Sequence, residues 1–190
     1  MRIAVYGATG MVGSQVVAEA ARRGHEVSGY SRTSHGADLG DTAAFRDVAA
    51  AHDVVVIAIP PDRSGGSHEP FLDAFDNLIA ARPETRLLVV VGAGSLIVDG
   101  APLVELIPAD YQAEPRTMGQ ILEKLRASSG LDWTASSPAP TIQSGERTGS
   151  YRTGKDEPAG EEISSQDFAV AIVDELENPQ HRGERFTVAN

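Results

Sequence analysis

The sequence predicts an α/β protein: a doubly wound, open and mostly parallel sheet with helices on both faces and a small C-terminal extension, in one domain over residues 1–190. Three observations carry this expectation. The runs "VVVIAI" (Val54–Ile59) and "RLLVVVGAGS" (Arg86–Ser95) are apolar at consecutive positions, as strands covered on both sides must be. Between such runs, apolar residues recur three and four apart, the period of a helix packed on one side. The first apolar run opens directly into glycines at positions 7, 10 and 13, the punctuation of a tight strand-to-helix turn. Strand and helix signals alternate from Arg2 to Pro140, which argues crossover units and a parallel sheet.

The elements come in order. "RIAVY" (Arg2–Tyr6) reads as a buried strand. Met11–Arg23 reads as a helix, with Val12, Val16, Val17 and Ala20 on one side and Gly24 to end it. "EVSGYS" (Glu26–Ser31) is a second strand, and Asp41–Ala51 a short helix around Phe45, Val48 and Ala49. Val54–Ile59 is a central strand ended by Pro60 and Pro61. Phe71, Leu72, Phe75, Leu78 and Ile79 mark a third helix; Met118, Ile121, Leu122 and Leu125 mark a fourth. "LDWTASS" (Leu131–Ser137) is a shorter strand closed by Pro138 and Pro140. Beyond it "GERTGSYRTGKDEPAGEE" is polar and glycine-rich, a hairpin or excursion. A last helix carries Phe168, Ala169, Ile172 and Leu176 inward, with Ser164 as its N-cap. "ERFTVA" (Glu184–Ala189) is a closing strand.

Composition narrows the chemistry. The formal net charge of −11 opposes nucleic-acid backbones in general, although a phosphate ligand can still bind where the local field is positive. The chain has no cysteine, which removes disulfides and thiolate metal sites and suits a reducing cytoplasm. The five histidines, at 25, 35, 52, 68 and 181, show no metal-ligand spacing, so no metal is expected. No apolar run approaches the ~20 residues of a membrane helix, and the opening residues lack a signal-peptide core.

Glycine costs roughly 0.5–1 kcal/mol relative to alanine inside a helix or strand, so three at one turn require a reason. In an open parallel sheet ligands bind beyond the carboxyl ends of the strands, where strand order reverses. A turn after the first strand lies there. Gly7 would permit the turn, Gly10 would let a diphosphate approach the backbone, and Gly13 would let helix and strand pack closely. The helix N-terminus adds free amides and a partial positive charge. The second strand ends in "GYSRTS", with Arg32 where NAD-binding chains carry an acidic residue. An arginine there pairs with the 2′-phosphate of NADP; the alternative is a solvated surface arginine.

At these residues the chain resembles a known group. "YGATGMVGSQVVAEAARRGHEVSGYSR" resembles the start of the atypical short-chain dehydrogenase/reductase superfamily. It is similar to the small NAD(P)H-binding branch with NmrA-like proteins and biliverdin/flavin reductases. "VVGAGSL", "LDWTASSPA", "GERTGSYRTG" and "ISSQDFAVAIVDELENPQHRGERFTVA" resemble later blocks of that branch. The resemblance implies a Rossmann-like fold and NADP(H) in preference to NAD(H). It implies diphosphate contacts at Gly7, Thr9, Gly10, Met11 and Val12, and Arg32 on the 2′-phosphate. It sets Asp38 and Leu39 beside the adenine, Ala58, Ile59 and Pro60 near the adenosine, and Gly92, Ser95 and Pro138 near the nicotinamide.

One departure bears on chemistry. The main branch of the superfamily uses Tyr-x-x-x-Lys, whereas Tyr111, the only tyrosine in the corresponding region, is followed four residues on by Pro115. Ser95 is then the best-placed hydroxyl for a developing oxyanion, or else a turn serine bonded to backbone. His68, in "SGGSHEP", is a substrate contact or a helix-start residue. Three readings stand: an NADPH-dependent reductase of a small conjugated acceptor, a non-catalytic NADP(H) sensor with a protein partner, and, with least support, a sugar-nucleotide epimerase or dehydratase.

Overall fold

In the computed structural model, which describes residues 1–31 and 38–190, apolar strand runs and amphipathic helices alternate as the sequence dictates. The chain runs β1 (Arg2–Tyr6), α1 (Met11–Arg22), β2 (Glu26–Tyr30), α2 (Thr42–Ala51), β3 (Val54–Ile57), α3 (Glu69–Ala81) and β4 (Arg86–Val90). A small hairpin, β5 (Ile97–Val98) and β6 (Ala101–Pro102), and two 3-10 turns lead to α4 (Ala113–Ala127) and β7 (Trp133–Pro138). Then come β8 (Thr141–Gln143), β9 (Arg152–Gly154), β10 (Glu162–Ser164), α5 (Ser165–Glu177) and β11 (Arg185–Ala189).

The main sheet has the order β2-β1-β3-β4-β7-β11-β9. All its neighbours pair in parallel except β9, which runs antiparallel to β11 at the edge. Strand order reverses between β1 and β3, since the chain steps outward to β2 and then returns to the other side of β1.

Period-two alternation along each strand feeds two cores. Ile3, Val5, Val54, Val56, Leu88, Phe186 and Val188 point to the layer of α1 and α5, where they meet Val16, Ala20, Phe168 and Ile172. Ala4, Val55, Ile57, Leu87 and Val89 point to the layer of α2, α3 and α4, where they meet Phe45, Phe75, Leu78, Ile121 and Leu122. Both faces of the sheet are therefore covered, which is the doubly wound Rossmann-like arrangement.

The excursion after Pro140 is a parallel two-stranded ribbon of β8 and β10 together with the edge strand β9. Buried Asp167 holds it. Its carboxylate accepts from the Thr148 hydroxyl (2.6 Å), the Gly149 amide (2.7 Å) and the Asn190 amide (2.8 Å). Ser164 caps α5 as the sequence predicts, its hydroxyl accepting from the Asp167 amide at 3.0 Å. Among the described residues, no helix is long and apolar enough to cross a membrane.

Candidate functional site

The turn after β1 is built by contacts that tolerate no side chain at two of its three glycines. Gly7 adopts φ +85°, and a Cβ there would lie 2.4 Å from the carbonyl oxygen of Ala58. A Cβ on Gly13, buried in α1, would lie 2.2 Å from the carbonyl oxygen of Gly7. The chain's own packing thus accounts for both. Gly10 differs: it is exposed, and its Cβ would be 3.3 Å from the Gly7 oxygen, a close contact that asks for a shift of a few tenths of an ångström and not a clash like the other two. Packing alone does not demand glycine at this position.

Gly10 is the N-cap of α1, with no side-chain cap and no acidic residue in the first turn. The first amides of a helix have no intrahelical acceptor, and they lie at its positive end. Bare backbone, uncapped amides and a positive helix end fit a diphosphate, which needs close approach and donors rather than a counter-charge on a side chain. These residues therefore fit a dinucleotide.

The surrounding strands fix the turn. The amides of Gly7 and Ala8 donate to the carbonyl of Tyr30 at the end of β2 (2.9 and 3.1 Å), and the Ala58 amide donates to Tyr6 (2.9 Å). Ala58 and Ile59 are half-buried against Gly7, while Pro60 is exposed. Thr9 is exposed, Met11 is 50% exposed at the head of α1, and Val12 packs inward on the core shared with α5. Arg32 lies outside the described residues. Asp38 is exposed, its carboxylate accepting from the Gly40 amide at 2.8 Å. Leu39, expected beside the adenine, is 4% exposed and belongs to the core with Phe45, so its side chain serves the fold.

Farther along the sheet edge, Gly92 turns the chain after β4 with φ +71°, and Pro138 is buried at the end of β7. The segment between β4 and β5 lies against α4: a Cβ on Gly94 would be 2.4 Å from that of Pro115. Ser95 is expected as the hydroxyl best placed for a developing oxyanion or as a turn serine bonded to backbone, and the structure gives it a side-chain partner. Its oxygen accepts from the guanidinium of Arg185 at 2.8 Å. Sequence reasoning missed Arg185, and the only signal was a basic residue opening the apolar run "RFTVA".

His68 is committed to the fold on both ring nitrogens, Nδ1 to the Thr117 hydroxyl (2.7 Å) and Nε2 to the Asp62 carbonyl (2.8 Å). It ties the segment after β3 to α4, and the Arg63–Glu114 pair at 2.5 Å does the same. Asp62 shapes that segment by accepting from Ser64 and the Gly66 amide, and these hydrogen bonds, the Ser64 hydroxyl foremost, hold its carboxyl below the usual aspartate range. Tyr111 is 72% exposed on a 3-10 turn. Among the described residues no cluster of His, Asp and Glu could hold a metal ion.

Known proteins share this fold and much of this sequence. Residues 7–179 match the NAD(P)H-binding family. The Bacillus subtilis protein YwnB, itself uncharacterized, is 35% identical over 100% of this chain and 99% of its own. A Bacteroides thetaiotaomicron structure, described as a candidate epimerase, is 33% identical with a TM-score of 0.84, covering 99% of this chain and 96% of that one. A Streptococcus pneumoniae structure, described as a candidate NADH-flavin reductase, is 28% identical with a TM-score of 0.83, covering 100% and 99%. With a bare glycine turn at the strand-order reversal and a family match over residues 7–179, the chain belongs to the NAD(P)H-binding family and has a Rossmann-like fold.

Proposed function

We propose that the protein is an NADPH-dependent reductase of a small conjugated acceptor, a quinone, a flavin or a similar ring. The observation that carries this reading is Gly10: bare backbone at the uncapped head of α1, where packing does not itself require glycine. The amides of Met11 and Val12 would hold the diphosphate, with Gly7 and Thr9 shaping its bed and Arg32 taking the 2′-phosphate. Asp38 and the residues Ala58–Pro60 would flank the adenosine. The nicotinamide would then lie toward Gly92 and Pro138, on β4 and β7. From β1 to β7 is three strand spacings, roughly 14 Å of sheet edge, along which an extended dinucleotide can lie.

A bound nicotinamide supplies the hydride; the protein contributes orientation, exclusion of water and a hydrogen-bond donor. A conjugated acceptor asks least of the protein, because its charge is delocalised and solvent can deliver the proton. This suits a chain in which Tyr111 has no lysine four residues on and the one Tyr-x-x-x-Lys run, Tyr151 to Lys155, is engaged elsewhere, Tyr151 donating to Asp174 and Lys155 to Glu184. The lack of that pair at Tyr111, with the small C-terminal extension, disfavours sugar-nucleotide epimerisation, although two similar solved structures are described as candidate epimerases. It also favours a second reading, an NADP(H) sensor that binds without turnover and reports to a protein partner. Oxidation of NADPH against a panel of quinones and flavins decides: turnover on any of them supports the reductase, and tight binding with no turnover supports the sensor.

A further inference from the structure

We propose that Arg185 is the positioning residue for the acceptor side of this site, acting through Ser95. Its guanidinium fixes the segment Gly92–Val98 and occupies a lone pair of the Ser95 hydroxyl, which leaves that hydroxyl its proton to offer. The inference rests on the reductase reading, with the end of β4 facing the acceptor.

Arg185 opens β11 and is 2% exposed. A buried charge is tolerated only when paired and hydrogen-bonded, and Arg185 spends its donors on two segments outside its own strand. Nε and Nη2 donate to the Asp156 carboxylate in the loop after β9. Nη1 donates to the Ser95 hydroxyl at 2.8 Å, and Nη2 also lies 3.4 Å from the Ser95 carbonyl. Asp156 is itself held by Arg126 of α4 at 2.6 Å, and its carbonyl accepts from the Ile97 amide at 2.8 Å. The residues on either side of Ser95 anchor the start of the first 3-10 turn: the Gly94 carbonyl accepts from Val104 and the Leu96 carbonyl from Leu103. One guanidinium thus sets the path of the chain from β4 through the β5–β6 hairpin.

The bond also orients the serine. A hydroxyl has one proton to give, and its oxygen accepts; an arginine only donates. With Arg185 on its oxygen, Ser95 keeps its own proton to donate, and a cation behind that oxygen strengthens the donation in a low-dielectric setting. Arg185 is buried and remains charged, so this orientation does not switch across the working pH range.

The buried pair of Arg86 and Glu175 is the control for a merely structural role. It is as deeply buried and joins β4 to α5, with Thr134 also bonded, but it engages no residue at the carboxyl ends of β1, β3 or β4.

The test uses the full chain in the variants Arg185→Met, Arg185→Lys, Ser95→Ala and the Arg185→Met/Ser95→Ala double. Three readouts are taken: steady-state kinetics with NADPH and menadione or FMN, NADPH affinity from nicotinamide fluorescence, and hydrogen exchange of the Ile97 and Val104 amides. In Arg185→Met, kcat falls about tenfold, toward the cost of losing an oxyanion donor, while the NADPH Kd stays within about twofold. Arg185→Lys recovers part of kcat. The double variant is no slower than Ser95→Ala, and Ile97 and Val104 exchange faster without Arg185 while Val56 in β3 does not. An equal further loss in the Ser95→Ala background, unchanged exchange at Ile97, or a loss confined to NADPH affinity overturns the proposal. If the wild type reduces no acceptor, the reductase reading fails by itself, and exchange at Ile97 and Val104 still decides whether Arg185 positions the segment. Should Arg185→Met not fold, Arg185→Lys carries the same comparison.

Discussion

A Cβ on Gly13 would stand 2.2 Å from the carbonyl oxygen of Gly7, whereas one on Gly10 would stand 3.3 Å from the same atom. The two glycines therefore answer to different demands, and substitution should separate them. Gly13→Ala forces α1 off the Gly7–Ala8 turn and should cost about 1–3 kcal/mol of stability, the range for overpacking. Gly10→Ala should fold within about 1 kcal/mol of wild type yet lose NADPH affinity by about tenfold or more, about 1.4 kcal/mol. Chemical denaturation and fluorescence titration of the two variants measure both effects.

NADPH should bind well more tightly than NADH. Arg32→Glu should weaken NADPH by about 2–4 kcal/mol, the scale for removing one member of a hydrogen-bonded charge pair and adding repulsion. NADH should be almost unaffected. Calorimetry with both dinucleotides checks this, and equal affinities in the wild type would remove the role given to Arg32.

Glu19 should make stability depend on acid. It is 4% exposed on α1 and accepts from Arg147, Arg22 and Arg23. Those bonds, Arg147 foremost, outweigh burial and hold its carboxyl far below the usual glutamate range. The folded-state pKa is thus depressed, so its contribution is whole above the unfolded value, about 4.3. That contribution is lost as pH falls below that value and through the folded one. Glu19→Gln should cost about 2 kcal/mol at pH 7, less than a fully buried pair because Arg22 and Arg147 keep contact with solvent. It should also flatten the loss of stability below about pH 5, as urea denaturation at a series of pH values will record.

Tyr111→Phe should leave kcat within about twofold of wild type. The side chain is exposed, and position 115 is proline rather than lysine. A large fall in kcat would make Tyr111 a proton donor after all.

The sheet was legible because its strands are apolar on both faces and its helices on one. Val54–Ile57, Arg86–Val90 and the cap at Ser164 stand where their patterns put them, with β3 and β4 ending before their apolar runs do. The glycine turn was legible because Gly7 and Gly13 leave no room for a side chain. The hairpin after Ser95 and the ribbon of β8 and β10 were not, since two- and three-residue strands carry no period. Leu39 and Ser95 show the limit at single residues. The family resemblance sets Leu39 beside the adenine, and its place after the fourth strand sets Ser95 near the sheet edge, but whether a side chain meets a ligand, a core or a buried guanidinium depends on segments as distant as Arg185. Arg185 itself gave almost no signal, because a buried arginine is recognised by its partners, and Ser95 and Asp156 lie 90 and 29 residues away.

The most direct measurement is the crystal structure of the NADPH complex. Diphosphate oxygens are expected about 2.7–3.2 Å from the amides of Met11 and Val12, with the phosphate seated over the bare Cα of Gly10. A dinucleotide bound elsewhere on the sheet edge, or a turn closed by a neighbouring side chain with no phosphate against it, would contradict this reading at its root.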